Sequence, residues 1–164
     1  MKIFVFGGQK SGKTSYAMKC ALDLAKNKKP IYIATYDNSY DDSSMQKRVK
    51  KHIYERKGKF KTVEKTVKLH KSIKPNNTYI IDCMSMWLLN HIDMKQKKIL
   101  KQLKKLLHTK ANIVFVLNDI SSGVIPIDKL SRKYVDISGL IGQELAKNCD
   151  KTVRVDYGIP TKLK

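Results

Sequence analysis

Short apolar runs alternate along this chain with longer stretches in which apolar residues recur at helical spacing. The runs at 2–6 (KIFVF), 31–35 (IYIAT), 78–82 (TYIID), 112–117 (NIVFVL) and 152–156 predict strands. Their β-branched and aromatic content, and the nearly unbroken apolarity of IVFVL, suit central strands buried on both faces. The intervening stretches predict helices at 13–27, 42–56, 65–73, 84–108 with a break near Asp93, and 128–149. In the stretch 95–110, Ile99, Leu100, Leu103, Leu106 and Leu107 fall on one stripe, with Lys97, Lys98, Lys101, Lys104 and Lys105 mostly outside it. That is a helix covering a sheet with a lysine face outward. A basic amphipathic helix can also meet a membrane surface or an acidic partner, but the strand that follows needs a helix packed on it. Strand and helix in alternation predict a mostly parallel sheet with helices on both faces, and no repeat or Pro/Gly linker divides residues 1–164, so a single α/β domain is expected.

Composition narrows the class. A hydrophobic fraction of 41% and an aromatic fraction of 8% suit a folded domain rather than a basic disordered tail. No run reaches the roughly 18 apolar residues of a membrane span, and IFVF is short for a signal-peptide core, so a soluble, cytoplasmic protein is expected. Cys20, Cys83 and Cys149 are too few and too widely spaced for a disulfide framework or a zinc knuckle. The formal charge of +20 is concentrated: 47–74 holds 12 Lys+Arg against Glu55 and Glu64, and 95–110 holds seven Lys and no acid. Arginine occurs only at 48, 56, 132 and 154, so the excess is lysine, the poorer residue for bidentate base or phosphate recognition. With no aromatic-interleaved basic stripe either, a nucleic-acid partner is not expected.

The candidate chemistry begins at Gly7-Gly8-Gln9-Lys10-Ser11-Gly12-Lys13-Thr14, which satisfies G-x-x-x-x-G-K-[ST] between a strand and a helix. Such a loop turns backbone N–H groups toward phosphate oxygens at a helix N-terminus. Lys13 reaches the outer phosphates and the Thr14 hydroxyl can ligate Mg2+. Asp82, closing TYIID, is the matching strand-end carboxylate for the metal, or alternatively an N-cap for the helix that follows. Together these features predict a P-loop NTPase (RecA-like) three-layer fold that takes a nucleoside triphosphate with Mg2+. Arg48, His52 and Arg56 fall at i, i+4 and i+8. Surrounding cations favour a neutral, nucleophilic imidazole, which could attack phosphorus, although a histidine among lysines is more commonly a solvated surface residue.

Further matches extend along the chain: the IAT strand 33–35, the run Arg48-Val49-x-x-His52-x-x-x-Arg56, Thr62-Val63-Glu64, and Asp82-Cys83-x-Ser85-x-Trp87-x-x-Asn90. Asn118-Asp119, Gly123-Val124-Ile125-Pro126, Arg132-x-x-x-Asp136-x-x-Gly139-x-x-x-Gln143-x-Leu145-Ala146 and Gly158-Ile159-Pro160 complete them. In these the sequence resembles the bifunctional adenosylcobinamide kinase / adenosylcobinamide-phosphate guanylyltransferase (CobU-type) family of cobalamin biosynthesis. The resemblance implies two reactions. ATP or GTP phosphorylates adenosylcobinamide, and GMP then passes from GTP through a covalent His52 intermediate to give adenosylcobinamide-GDP. It implies catalytic roles for His52 and Lys13, nucleotide contacts at 7–14, Ala34, Thr35, Tyr36, Ile53, Tyr54, Glu55, Arg56, Glu64 and Asp82, Mg2+ at Thr14 and Asp82, and a homo-oligomer, a trimer in the family. The chain departs from the family pattern at Ser44 and Asp119 (Glu), Lys57 (Pro), Phe60 (Trp) and Gly142 (Asn). The residues for nucleotidyl transfer are retained more fully than those for the corrinoid. Two other readings fit the loop alone: a general small-molecule or nucleoside monophosphate kinase, and a RecA-like nucleic-acid-binding ATPase.

Overall fold

In the computed structural model the described residues are 1–36, 53–54, 56–120, 123 and 125–164. Among them, seven strands form one sheet: β1 (Lys2–Gly7), β2 (Ile31–Ala34), β3 (Lys61–Glu64), β4 (Thr78–Asp82), β5 (Asn112–Asn118), β6 (Lys151–Asp156) and β7 (Ile159–Lys162). Their order is β3-β2-β4-β5-β1-β6-β7. All neighbours run parallel except the last pair, in which β7 returns antiparallel to β6. The described helices are α1 (Lys13–Ala25), α2 (Met84–Leu89), α3 (Gln96–Leu107) and α4 (Lys129–Asn148).

Because successive strand residues point to opposite faces, each central strand feeds two cores. Ile3, Val5, Tyr32, Ile80, Val114, Val116, Val153 and Val155 face α1, whose buried apolar residues are the small Ala17, Ala21 and Ala25, so that it lies close against the strands. The other face carries larger groups: Phe4, Ile33, Tyr79, Ile81, Phe115 and Leu117 pack on Trp87 and Leu88 of α2, Ile99, Leu103 and Leu106 of α3, and Ile137, Ile141 and Leu145 of α4. Helices therefore cover both faces, as the alternation predicts. In α3 the buried stripe is Ile99, Leu103 and Leu106, and all five lysines assigned to the outer face are exposed. At the start of α4, the Asp128 carboxylate accepts a hydrogen bond from the Ser131 amide at 2.8 Å, which satisfies one of the free N–H groups there.

One predicted helix changes and two strands are added. The predicted helix 65–73 is a 3-10 turn, Leu69–Ser72, preceded by Lys68 at φ 51°; only Leu69 of the turn is buried, too little to hold a helix onto the body. The strands β3 and β7 were not anticipated. Both are edge strands with almost no buried residue, and their sequences, KTVE and IPTK, carry no core pattern. The stretch 84–108 divides into α2 and α3, as expected near Asp93, because Asn90 turns its side chain back to the carbonyls of Thr35 and Thr66 at 2.9 and 3.3 Å. Most of the predicted helix 42–56 lies outside the described residues; of its last residues, Ile53, Tyr54 and Arg56 are helical.

Candidate functional site

The loop 7–12 leaves the carboxyl end of β1 and enters α1 at Gly12, its N-cap, with φ 89°. Two positions need glycine for space. A Cβ on Gly7 would stand 2.2 Å from the Val155 carbonyl oxygen, and one on Gly12 would stand 3.2 Å from Gly158 Cα. Gly8, by contrast, has nothing within 4 Å of a Cβ, so its side of the loop is open. The loop is braced from outside: the Gly158 amide donates to Ser11 O at 2.8 Å and the Asp119 amide to Gly7 O at 2.9 Å. Lys13 is buried, and its ammonium donates to Gly8 O across the loop at 3.0 Å. Ser11 is also buried, with Oγ unpartnered among the described residues, while Gln9 and Lys10 are exposed. Thr14 follows Lys13 in the first turn of α1, half-buried.

Register brings the next group together. Ala34 on β2 stands opposite Glu64 on β3 and Asp82 on β4, so three neighbouring strands end at one level. Thr35, fully buried, ties this level to the segment after β4: its Oγ1 donates to Cys83 O at 2.7 Å and accepts from the Cys83 amide at 2.8 Å. Tyr36 follows, half-buried. The Asp82–Cys83 peptide is cis. Cys83, not Asp82, is the N-cap of α2, and the Asp82 carboxylate instead accepts a hydrogen bond from the Tyr32 hydroxyl through Oδ2. The capping alternative for Asp82 therefore falls away. Burial, and then the Asp82 charge, push the Cys83 thiol up to about 11. The same two causes in the same order hold the Tyr32 phenol well above its usual range.

Of the segment after His52, Arg56 is buried, with its guanidinium carbon 4.3 Å from the Tyr32 ring centroid, whereas Ile53 and Tyr54 are 45% and 81% exposed. An open groove of about 800 Å3 runs between α1 and this segment, lined by Ser15, Met18, Leu22, Tyr54, Lys57 and Phe60 among others. His52, Arg48 and Glu55 lie outside the described residues. Trp87 and Ser85, prominent in the motif after Asp82, serve packing: Trp87 is fully buried, and Ser85 joins β5 and α4 by accepting from the Asn118 amide at Oγ (2.9 Å) and from Tyr134 Oη at its carbonyl (3.0 Å). Two residues of the site escaped the sequence reading. Tyr32 was a strand residue among others, with no pattern to mark it. Gly158 belonged to a recognised motif, and its clue was the Tyr157-Gly158 pair, both at positive φ, which makes a tight hairpin turn.

A glycine-rich loop running from a parallel strand into a helix N-terminus, with an acid closing the strand two places away in the sheet, defines a P-loop nucleotide-binding α/β protein. Solved structures agree on the fold. The chain is similar to a prototypical ATPase from the type III secretion system of pathogenic bacteria, at TM-score 0.59 and 12% identity over 98% of this chain and 56% of that one. It is similar also to the flagellar accessory protein FlaH from Methanocaldococcus jannaschii, at TM-score 0.51 and 12% identity over 99% of this chain and 77% of that one. At such identity these likenesses establish fold alone. The chain belongs to the CobU family, cobinamide kinase / cobinamide phosphate guanyltransferase, whose model matches residues 3–163. Relatives include the bifunctional adenosylcobalamin biosynthesis protein CobP of Pseudomonas aeruginosa, 29% identical over all of this chain and 98% of that one. The protein CobU of Escherichia coli, named for the same bifunctional role, is 27% identical over the full length of both. Membership of this family sets aside the general kinase and the nucleic-acid ATPase.

Proposed function

We propose that this protein is a cytoplasmic adenosylcobinamide kinase and adenosylcobinamide-phosphate guanylyltransferase that works through His52. The observation that carries the reading is the convergence, at one end of the sheet, of the 7–14 loop, the Ala34–Glu64–Asp82 row and the Arg56 end of the His52 segment, in a chain of this family. The loop amides and Lys13 hold the triphosphate and offset the negative charge that grows on it during transfer. Tyr36, Ile53, Tyr54, Glu55 and Glu64 make up the rest of the nucleotide surface, and Thr35 and Arg56, both buried, support it from behind.

The donor set fits Mg2+. Thr14 offers a hydroxyl and Asp82 keeps Oδ1 for a ligand, while no cluster of three His, Cys, Asp or Glu exists among the described residues to form an all-protein cage. Mg2+ is ordinarily held this way, by one or two protein oxygens together with substrate phosphates. When bound it would neutralise phosphate charge. In the kinase reaction the corrinoid hydroxyl oxygen forms a bond to the γ-phosphorus of ATP or GTP and the bond to the departing diphosphate breaks. In the transferase reaction an imidazole nitrogen of His52 bonds to the α-phosphorus of GTP and pyrophosphate leaves. A phosphate oxygen of the corrinoid phosphate then displaces the histidine, giving adenosylcobinamide-GDP and free imidazole. The family resemblance further supports a homotrimer.

The test supplies adenosylcobinamide, Mg2+ and GTP and separates the corrinoid products. Wild type should give both the phosphate and the GDP derivative; Lys13→Ala should lose both; His52→Ala should accumulate the phosphate alone. A His52→Ala protein that still forms the GDP derivative, or a wild type that makes neither product, would overturn the reading.

A further inference from the structure

We propose that Tyr32 is a positioning residue of this site: its hydroxyl fixes the Asp82 carboxylate, and Arg56, stacked on its ring, ties that carboxylate to the segment carrying His52. The inference rests on the reading of Asp82 as the metal-holding acid, and deepens it.

Tyr32 is 2% exposed and lies on the α1 face of β2, next to the strand that Asp82 terminates. Two contacts hold its ring. Phe60 meets it edge-on, at 6.0 Å between centroids and 84° between planes, and the Arg56 guanidinium lies over it at 4.3 Å. With the ring plane held, the phenolic oxygen has a fixed position, and from there it donates to Asp82 Oδ2. A carboxylate at a strand end can otherwise rotate about its terminal torsion, which is broad for Asp. Engaging Oδ2 leaves Oδ1 as the oxygen available to a ligand, which suits a hard cation held by a single protein carboxylate.

Arg56 gives the arrangement its second half. It is 4% exposed, and its Nε has no partner among the described residues, so the ring face is its identified contact through that part of the group. Desolvating a guanidinium is costly, and the ring face offsets part of that cost. Arg56 stands four residues after His52. Tyr32 thus lies between the phosphate-side carboxylate and the segment bearing the nucleophile, in contact with the first and with the end of the second. A tyrosine that served packing alone would need an acceptor of some kind, but not this acid, and not a cation on its face.

The experiment measures binding by calorimetry of a GTP analogue with methylene at the α,β bridge, which cannot pass GMP to His52, along a Mg2+ series from EDTA to excess, for wild type, Tyr32→Phe, Asp82→Asn and the double variant, with thermal melts as the check on folding. Tyr32→Phe keeps the ring and removes only the hydroxyl. It should raise the Mg2+ concentration at half-effect by about tenfold, the lower range for loss of a partner behind a metal ligand, and leave metal-free binding of the analogue within about twofold of wild type. In the Asp82→Asn background the same change should add nothing. Arg56→Lys, which keeps the charge but not the planar stack, should shift the midpoint in the same direction, by about threefold. That variant carries the test if Tyr32→Phe does not fold. A Tyr32→Phe midpoint equal to wild type, with Asp82→Asn shifted, would overturn the positioning role and leave the proposed function standing. Equal increments from Tyr32→Phe in both backgrounds would overturn it too, as a general packing effect. If Asp82→Asn itself leaves the midpoint unmoved, the reading of Asp82 fails and takes this inference with it.

Discussion

Replacing Thr35 with valine keeps the shape of a fully buried side chain and removes one oxygen. That oxygen makes two hydrogen bonds, donating to Cys83 O at 2.7 Å and accepting from the Cys83 amide at 2.8 Å. Each bond contributes about 1 kcal/mol net, and each backbone group left without a partner adds a desolvation cost of about 1–3 kcal/mol if water cannot reach it. Cys83 is half-buried, so water recovers part of that cost and the lower end applies. The total is about 2–4 kcal/mol. For a chain of this size a kcal/mol moves Tm by roughly 2–4 °C, so Thr35→Val should melt about 4–16 °C below wild type. Thr35→Ser keeps the oxygen and loses one methyl group, about 1 kcal/mol, and should fall between the two. Differential scanning calorimetry on the three proteins decides the order. A Thr35→Val protein melting within about 2 °C of wild type, or a serine variant less stable than the valine one, would refute the role given to this oxygen. The functional consequence follows from where it sits. The pair fixes the residue after Asp82 to the end of β2, so the valine variant should also bind GTP with Mg2+ less tightly.

Two glycines of the loop should part company when replaced. Gly7→Ala forces a Cβ to 2.2 Å from the Val155 carbonyl, and β1 must move from β6 to relieve it, a loss of about 1–3 kcal/mol in chemical denaturation. Gly8→Ala meets nothing within 4 Å, so its stability should stay within about 0.5 kcal/mol of wild type while GTP affinity falls, because the open side is where phosphate would lie. Alkaline pH supplies another check. Burial first, and then the Asp150 charge, push the Cys149 thiol up to about 12 from a usual 9.0, so the fold favours its protonated form. That contribution is present in full below pH 9 and is lost as pH rises toward 12. The stability difference between wild type and Cys149→Ala should therefore narrow from pH 9 upward in urea titrations; a difference that widens would contradict the assignment.

What could be read in advance followed burial. β1, β4 and β5 are apolar on both sides because both faces are covered, and IFVF, TYIID and NIVFVL announce themselves. The loop was equally plain, since its glycines, Lys13 and Thr14 are demanded by local geometry and local chemistry. β3 could not be seen, because an edge strand of Lys61, Thr62, Val63 and Glu64 buries almost nothing and takes its form from hydrogen bonding to β2. β7, with Pro160 in an exposed edge position, is legible only from the hairpin turn before it. The lysines of 65–74 look like one face of a helix, yet a single buried leucine cannot pull such a helix onto the protein. In the site, the residues that approach through the chain's own sequence neighbours were found. Tyr32 and Gly158 were not, since each matters through a contact made across the fold, with Asp82 and Arg56 in one case and with Ser11 and Gly12 in the other.

The most direct test of the account is whether GMP becomes bonded to His52. The protein is incubated with GTP and Mg2+, kept at alkaline pH because a phosphoramidate is acid-labile, cleaved with trypsin, and the His52–Arg56 peptide is sequenced by mass spectrometry. One GMP is expected on that peptide, at the imidazole, with an equivalent of pyrophosphate released and no adduct in His52→Ala. A wild-type protein that forms adenosylcobinamide-GDP without the adduct, or an adduct that persists when His52 is replaced, would contradict it.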